Sequence, residues 1–204
     1  MKWLFPLLLT MSCAGSVTAA EPDLLSLVLA RLAEPAVVRA DFVQEKTLRV
    51  LSRPIVSRGR IIVSRGEGLI WQIEAPLEMS IAFSDARIVE SDADGRHLVD
   101  GGGDNRIQTE VGRVFRGLLT PDPEILQRYF RLNVEGDVDN WRIDLTPRSA
   151  GLATFIEALQ IVGGRTIETI VIRESDTDST VIRLENVAVA GSLTEDERAL
   201  LSMP

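Results

Sequence analysis

The stretch VSRGRIIVSRGEGLIWQIEAPLEMSIAFSD (Val56–Asp85) decides the fold. It divides into three short segments that are apolar at every second position: Ile61 and Val63, then Leu69, Trp71 and Ile73, then Met79, Ile81 and Phe83. Side chains on a strand point alternately to its two faces, so this spacing predicts three strands sharing one apolar face. The opposing positions are Arg60 and Ser64, Gln72 and Glu74, Ser80 and Ser84. Arg65-Gly66-Glu67-Gly68 supplies the first turn, because glycine tolerates positive φ. Ala75-Pro76 marks the second, because proline cannot donate to a ladder. A curved sheet with one apolar face is either half of an ordinary core or the wall of an apolar cavity, and that choice decides function.

Working outward, Val37–Leu51 has a strand pattern in which Val38, Ala40 and Phe42 alternate with Arg39, Asp41 and Val43. Asp23–Ala33 (DLLSLVLARLA) has helical spacing, a capping Asp23 and a stop at Glu34-Pro35. Downstream, Arg87–Ser91 and His97–Val99 form a hairpin around Asp92-Ala93-Asp94-Gly95. Thr109–Leu119 predicts a helix with Val111, Val114, Phe115, Leu118 and Leu119 on one face, and a short helix follows over Asp122–Gln127. Tyr129–Val134, Trp141–Leu145, Ala158–Val162, Thr166–Arg173 and Ser179–Val187 read as strands separated by turn signals. Thr194-Glu195-Asp196-Glu197 carries a capping box ahead of a terminal helix. About eleven strands, sparse helices and no βαβ alternation predict an α+β fold, an antiparallel sheet with helices packed on one face.

The chain has 204 residues, 45% hydrophobic and 25% charged, which suits one domain over residues 21–204. Residues 1–20 read as a signal peptide: Lys2 is the basic region, Trp3–Met11 the apolar one, and Val17-Thr18-Ala19-Ala20 the small residues for cleavage near Ala20. Export to the periplasm is the expectation. The cysteine, Cys13, lies in that leader in a poor lipoprotein context, Thr10-Met11-Ser12-Cys13. If it is removed, no disulfide is possible. One of the 22 basic residues is Lys2, which leaves 21 against 30 acidic ones, a formal charge of −9 for the processed chain. That balance argues against nucleic acid as a partner and against anionic-membrane binding over the whole surface.

Catalytic constellations are nearly absent. His97 sits beside a turn, no G-x-S-x-G elbow is present, and no His/Cys/acid spacing matches a zinc site. Glu90–Asp94 and Glu174–Asp178 lack the length and bidentate glutamate of a calcium loop and read as solvated strand ends. A binding or carrier role therefore ranks above an enzyme, with no cofactor expected.

The ordered segments together resemble the periplasmic outer-membrane lipoprotein carrier family, LolA, in its LolA-related branch. Phe42-Val43-Gln44-Glu45-Lys46 looks like the family's F-x-Q segment, and Ser57-Arg58-Gly59-Arg60-Ile61 its S-x-G strand start. Arg65–Trp71 with Pro76 resembles R-P-x-x-x-x-W and its proline, and Ser84-Asp85 resembles V-S-D-G. Trp141–Arg148 and Glu174–Val187 resemble the late strand and the closing hairpin. Gly66 stands where the family has proline, Ala86 where it has glycine, and Leu184 where it has an aromatic.

The resemblance implies an unclosed antiparallel β-barrel with helices as a lid on its concave face. It also implies a monomeric chaperone-like carrier of an acylated lipoprotein or other lipid cargo. Its partners would be an inner-membrane ABC transporter and an outer-membrane receptor. On this reading Trp71, Ile73, Met79, Ile81 and Phe83 line the cavity from the sheet, Phe115, Leu118 and Leu119 supply the lid, and Arg65 and Leu69 stand at the rim. The alternatives are an outer-membrane-anchored acceptor, which requires acylated Cys13, and a periplasmic hydrolase or assembly factor on the same scaffold.

Overall fold

A computed structural model of the chain describes residues 23–84, 88–92, 97–100 and 123–202. Helix α1 (Leu24–Leu32) begins where the Asp23 side chain accepts the Ser26 N–H at 2.7 Å, as the sequence predicts. The strands are β1 (Val37–Thr47), β2 (Ile55–Ser64), β3 (Gly68–Ala75), β4 (Met79–Phe83), β5 (Ile88–Asp92) and β6 (His97–Asp100). After α2 (Pro123–Tyr129) come β7 (Phe130–Asp137), β8 (Asn140–Pro147), β9 (Ala158–Gly163), β10 (Ile167–Arg173) and β11 (Ser179–Ala190). A single turn of helix, α3 (Ala150–Ala153), links β8 to β9, and α4 (Glu195–Ser202) follows β11. The sequence does not announce α3, since four residues show no period; Ser149 caps it through the Leu152 N–H. The leader, the helix over Thr109–Leu119 and the β5–β6 turn lie outside the described residues.

The eleven strands form one unclosed antiparallel sheet in the order β6-β5-β4-β3-β2-β1-β11-β10-β9-β8-β7. Two meanders, β1 to β6 and β7 to β11, meet where β1 pairs with β11. The register slips between Arg39 and Asp41, opposite Asn186, which adopts φ 52° and donates its side-chain amide to Asp41 at 2.8 Å. Asparagine is one of the few residues that tolerates that conformation in a bulge. The Arg65–Gly68 turn forms as expected, with Gly66 at φ +89° and Gly68 at φ +140°.

The sheet buries both faces. The inner face carries the main core, including Ala40, Phe42, Ile61, Trp71, Trp141, Ile143, Ile161, Ile170 and Ile182, beneath Val28 and Leu29 of α1 and Leu126 of α2. Trp141 donates its indole N–H to the Gly164 carbonyl at 2.7 Å, which satisfies the ring's polar atom inside that core. A second cluster lies on the outer face, where Val37, Ile62 and Ile70 pack with Leu193, Leu200 and Leu201. The expectation that all helices cover one face therefore fails for α4. Its reason is legible afterwards: Ile61-Ile62-Val63 and Leu69-Ile70-Trp71 are continuous apolar runs, and a run without alternation is buried on both sides.

An ion pair fastens α4 to the sheet. Arg39, on the outer face of β1, donates from Nε to Glu197 Oε1 at 2.6 Å and from a terminal nitrogen to Oε2 at 2.5 Å, and reaches the Ser192 carbonyl at 3.2 Å. Glu197 is also the last residue of the predicted capping box: it accepts the Thr194 N–H at 2.7 Å while its own N–H donates to Thr194 Oγ at 3.2 Å. The Arg39 guanidinium and the Thr194 amide hold the Glu197 carboxyl down to about 2, against an ordinary 4.5. Arg39 is raised in turn by the carboxylate.

A group whose folded pKa is depressed contributes stability that is present in full above its unfolded value and disappears as pH falls through the folded value. Glu197→Gln should therefore destabilise the fold by about 2 kcal/mol near neutrality, discounted from the full linkage because both side chains keep some contact with water. Chemical denaturation of the two proteins should show that difference shrinking between pH 4.5 and about 2; a difference independent of pH across that window would exclude the clamp. A second test concerns Gly59, where an added Cβ would stand 1.8 Å from the Gln72 carbonyl oxygen of β3. Gly59→Ala must push β2 and β3 apart and should cost roughly 3 kcal/mol in the same measurement.

Candidate functional site: the inner apolar face

Cross-strand register assembles the inner face from rows. Phe42, Gly59, Ile73 and Met79 form one row across β1 to β4. Ala40, Ile61, Trp71 and Ile81 form the next and Val38, Val63, Leu69 and Phe83 the third. On the other side of β11, Ile182, Ile170, Ile161, Ile143 and Val134 run in register from β11 to β7. Beside them lie Thr180, Ile172, Leu159, Leu145 and Leu132. Strand pleating puts every member of a row on the same side of the sheet.

Burial along these rows is uneven. Towards β8 to β11 the isoleucines and leucines are sealed, with Ile170 and Ile182 at 1% exposure. The cover comes from α1 and α2, both of which contact β7, and Arg31 ties α1 to the β7–β8 turn through the Val138 carbonyl and the Asp139 carboxylate, each at 2.6 Å. Towards β3 and β4 the seal gives out: Ile73, Met79, Ile81 and Phe83 are all half-buried. Trp71 stands at the boundary, 5% exposed, with its ring tilted at 42° against Phe42 and the centroids 4.5 Å apart.

The five sheet residues expected to line a cavity, Trp71, Ile73, Met79, Ile81 and Phe83, thus share one face and three adjacent rows. Leu69 shares their rows, but at 0% exposure it lies inside the wall and cannot be a rim residue. Arg65 is exposed in the β2–β3 turn, its N–H donating to the Ala36 carbonyl at 2.9 Å. Phe115, Leu118 and Leu119 lie outside the described residues.

Sequence reasoning missed a polar ledge that ends the apolar rows. Lys46 Nζ approaches Glu174 Oε1 at 3.0 Å, and Thr180, itself buried, donates its hydroxyl to the same oxygen at 3.2 Å. Glu174 is therefore a held, half-buried partner and not a solvated strand end. The period-2 continuation Phe42, Gln44, Lys46 carries the only local signal, because it projects Lys46 to the face of Phe42. Among the described residues, no group of three or more His, Cys, Asp or Glu is placed to hold a metal ion, and no helix is long and apolar enough to cross a membrane.

The family model for outer membrane lipoprotein carrier proteins of the LolA-like type matches residues 14–201. A comparison with curated proteins gives no match. Among solved structures, a LolA superfamily protein, NE2245 from Nitrosomonas europaea, is similar with a TM-score of 0.48 at 9% identity, over 85% of this chain and 96% of that one. A DUF1329 family protein from Desulfovibrio piger gives 0.48 at 8% identity, over 86% and 93%. A putative outer membrane lipoprotein-sorting protein domain from Vibrio parahaemolyticus gives 0.44 at 11%, over 84% and 94%. The family model covers most of the sequence, and the chain belongs to the LolA-like family of outer membrane lipoprotein carrier proteins.

Proposed function

We propose that this protein is a periplasmic carrier that shelters the acyl chains of a lipoprotein, or of a related lipid, on its inner face during passage from the inner to the outer membrane. The observation that supports this reading is the burial gradient: the apolar inner face is sealed from β8 through β11 and β1 to Trp71 of β3, and is only half-covered beyond it, at Ile73, Met79, Ile81 and Phe83. A surface of that kind holds a flexible apolar chain by area alone, about 0.8 kcal/mol for each methylene removed from water. Met79 suits the task, since an unbranched thioether adapts to different chain shapes. The ledge of Lys46, Glu174 and Thr180 supplies a polar stop at one end of the face. An inner-membrane ABC transporter as donor and an outer-membrane receptor as acceptor complete the proposal. Membership of the LolA-like family supports both the carrier role and the compartment.

Native mass spectrometry of gently purified protein should show retained acyl lipid, and a fluorescent fatty acid should bind and be displaced by unlabelled acyl chains. Ile81→Gln and Met79→Gln, at half-buried positions, should weaken that binding by about tenfold each, the equivalent of one or two methylene contacts, while the protein stays folded. No retained lipid and no displacement by chains of any length would overturn the carrier reading.

A further inference from the structure

Of the eight large apolar side chains left exposed among the described residues, Leu27, Phe155 and Val189 stand apart and the other five gather at two neighbouring hairpin ends. Val50, at 82% exposure, and Leu51 belong to the β1–β2 connection, Ile55 and Val56 are the first two residues of β2, and Leu77, at 79%, belongs to the β3–β4 turn. Register places both connections at the same end of the sheet, where β1 finishes and β2 begins, and where β3 finishes and β4 begins. It also shows that the β1–β2 hairpin overhangs its neighbour. Ala75, the last residue of β3, pairs with Arg58, so Ile55, Val56 and Ser57 continue beyond it and carry the loop roughly 10 Å further out. The loop is held at its base, with the Leu51 N–H on the Leu48 carbonyl at 2.9 Å and the Arg49 N–H on the Asp178 carboxylate at 2.8 Å.

Charge sets this segment apart from the rest of an acidic chain. All six charged residues from Lys46 to Arg65 are basic, against a net charge of −8 overall. Among the described residues, the guanidinium groups of Arg49, Arg53 and Arg58 have no ion-pair partner. The acids at the same end are Glu74 and Glu78 around the β3–β4 turn, Glu174, Asp176 and Asp178 in the β10–β11 turn, Asp92 opposite Met79, Glu157 before β9, and Glu45 opposite Val56, which Arg183 engages. Glu174 is engaged by Lys46 and Asp178 by the Arg49 amide, and Glu78, next to Leu77, is the acid closest in sequence to an apolar tip.

We propose that this overhanging end seats reversibly on an anionic phospholipid surface, with Val50, Leu51 and Leu77 entering the interface and Arg49, Arg53 and Arg58 meeting lipid phosphates. Aliphatic tips without a Trp or Tyr anchor favour lipid over a protein partner, and the arginines beside them suit anionic head groups. Arginine beside an aliphatic tip keeps its head in the phosphate layer while its stem follows the apolar residues inward. The negative remainder of the molecule makes such contact short-lived, which a shuttling protein requires. This inference concerns a different surface from the inner face and does not depend on cargo.

The test is co-sedimentation of the full processed chain with vesicles of phosphatidylglycerol and phosphatidylethanolamine, and with vesicles of phosphatidylcholine alone. Binding should favour the anionic vesicles and weaken as salt rises. The double change Arg49→Glu and Arg53→Glu should reduce it by at least about tenfold, and Val50→Asp with Leu77→Asp should do likewise. Glu78→Gln should strengthen it. All these positions are exposed, so thermal midpoints and fatty-acid displacement should stay at wild-type values. Absence of vesicle binding, equal binding to neutral vesicles, or loop variants that bind as the wild type would each overturn the proposal; the first would leave a protein surface as the occupant. Loss of vesicle binding with fatty-acid displacement intact separates this surface from the carrier site.

Discussion

The pairing of β1 with β11 is the contact on which the rest of the molecule depends. It joins residues from the two ends of the domain, Val37 with Ala190 and Thr47 with Ser179, and it is the ladder that connects the β1–β6 meander to the β7–β11 meander. Each meander is a series of local hairpins whose short turns cost little chain entropy, whereas β1 and β11 must find each other across the whole sequence. Side chains reinforce the seam: Arg183 donates to Glu45 at 2.7 Å, Asn186 to Asp41 at 2.8 Å, and Lys46 pairs with Glu174 at 3.0 Å. Because β1 lies in the middle, its alternation serves both cores. Phe42 enters the inner cluster, and Arg39, three residues earlier, holds the outer helix.

The two halves of the inner face differ in chemistry as well as in cover. The sealed half is a row of isoleucines, whose branched side chains have few rotamers and pack well on a pleated surface. The half-buried part ends in Met79, Ile81 and Phe83, and the methionine among them is unbranched and readily repacked. Rigidity is therefore concentrated where the fold must be specified, and adaptability where the apolar surface is least covered. The Phe42–Trp71 ring contact lies between them and fixes the boundary.

Much of this was legible in the sequence because it rests on short-range patterns. Alternation located Ile61, Trp71 and Ile81 on one face, the Gly66 and Gly68 turn followed from backbone sterics, and both Asp23 and the Thr194–Glu197 capping box did what their spacing implied. What escaped depends on partners distant in the chain. The outer core could not be read from Ile62 and Ile70 alone, since nothing local says that Leu200 and Leu201 return to cover them. Nor could Leu69 be distinguished from its rim neighbours, as its 0% exposure comes from the elements packed above it and not from its own strand. Glu174 looked like one of a solvated acidic run until β1 brought Lys46 beside it.

An apolar surface that is only partly covered has an energetic consequence for the whole domain. Leaving Ile73, Met79, Ile81 and Phe83 half-buried forgoes roughly 1 kcal/mol apiece relative to full burial. Together that is a few kcal/mol, a sizeable share of the 5–15 kcal/mol (roughly) by which domains are stable. The deficit must be offset where it does not interfere with the inner face. The outer face fits that role: Val37, Ile62 and Ile70 bury a second small core under α4, and the Arg39–Glu197 pair locks that helix down from the side opposite the half-covered rows. Two helices, α1 and α2, already lie on the inner face, and α4 adds its burial on the opposite one. Its packing therefore stabilises the sheet while Met79 and Ile81 stay half-covered.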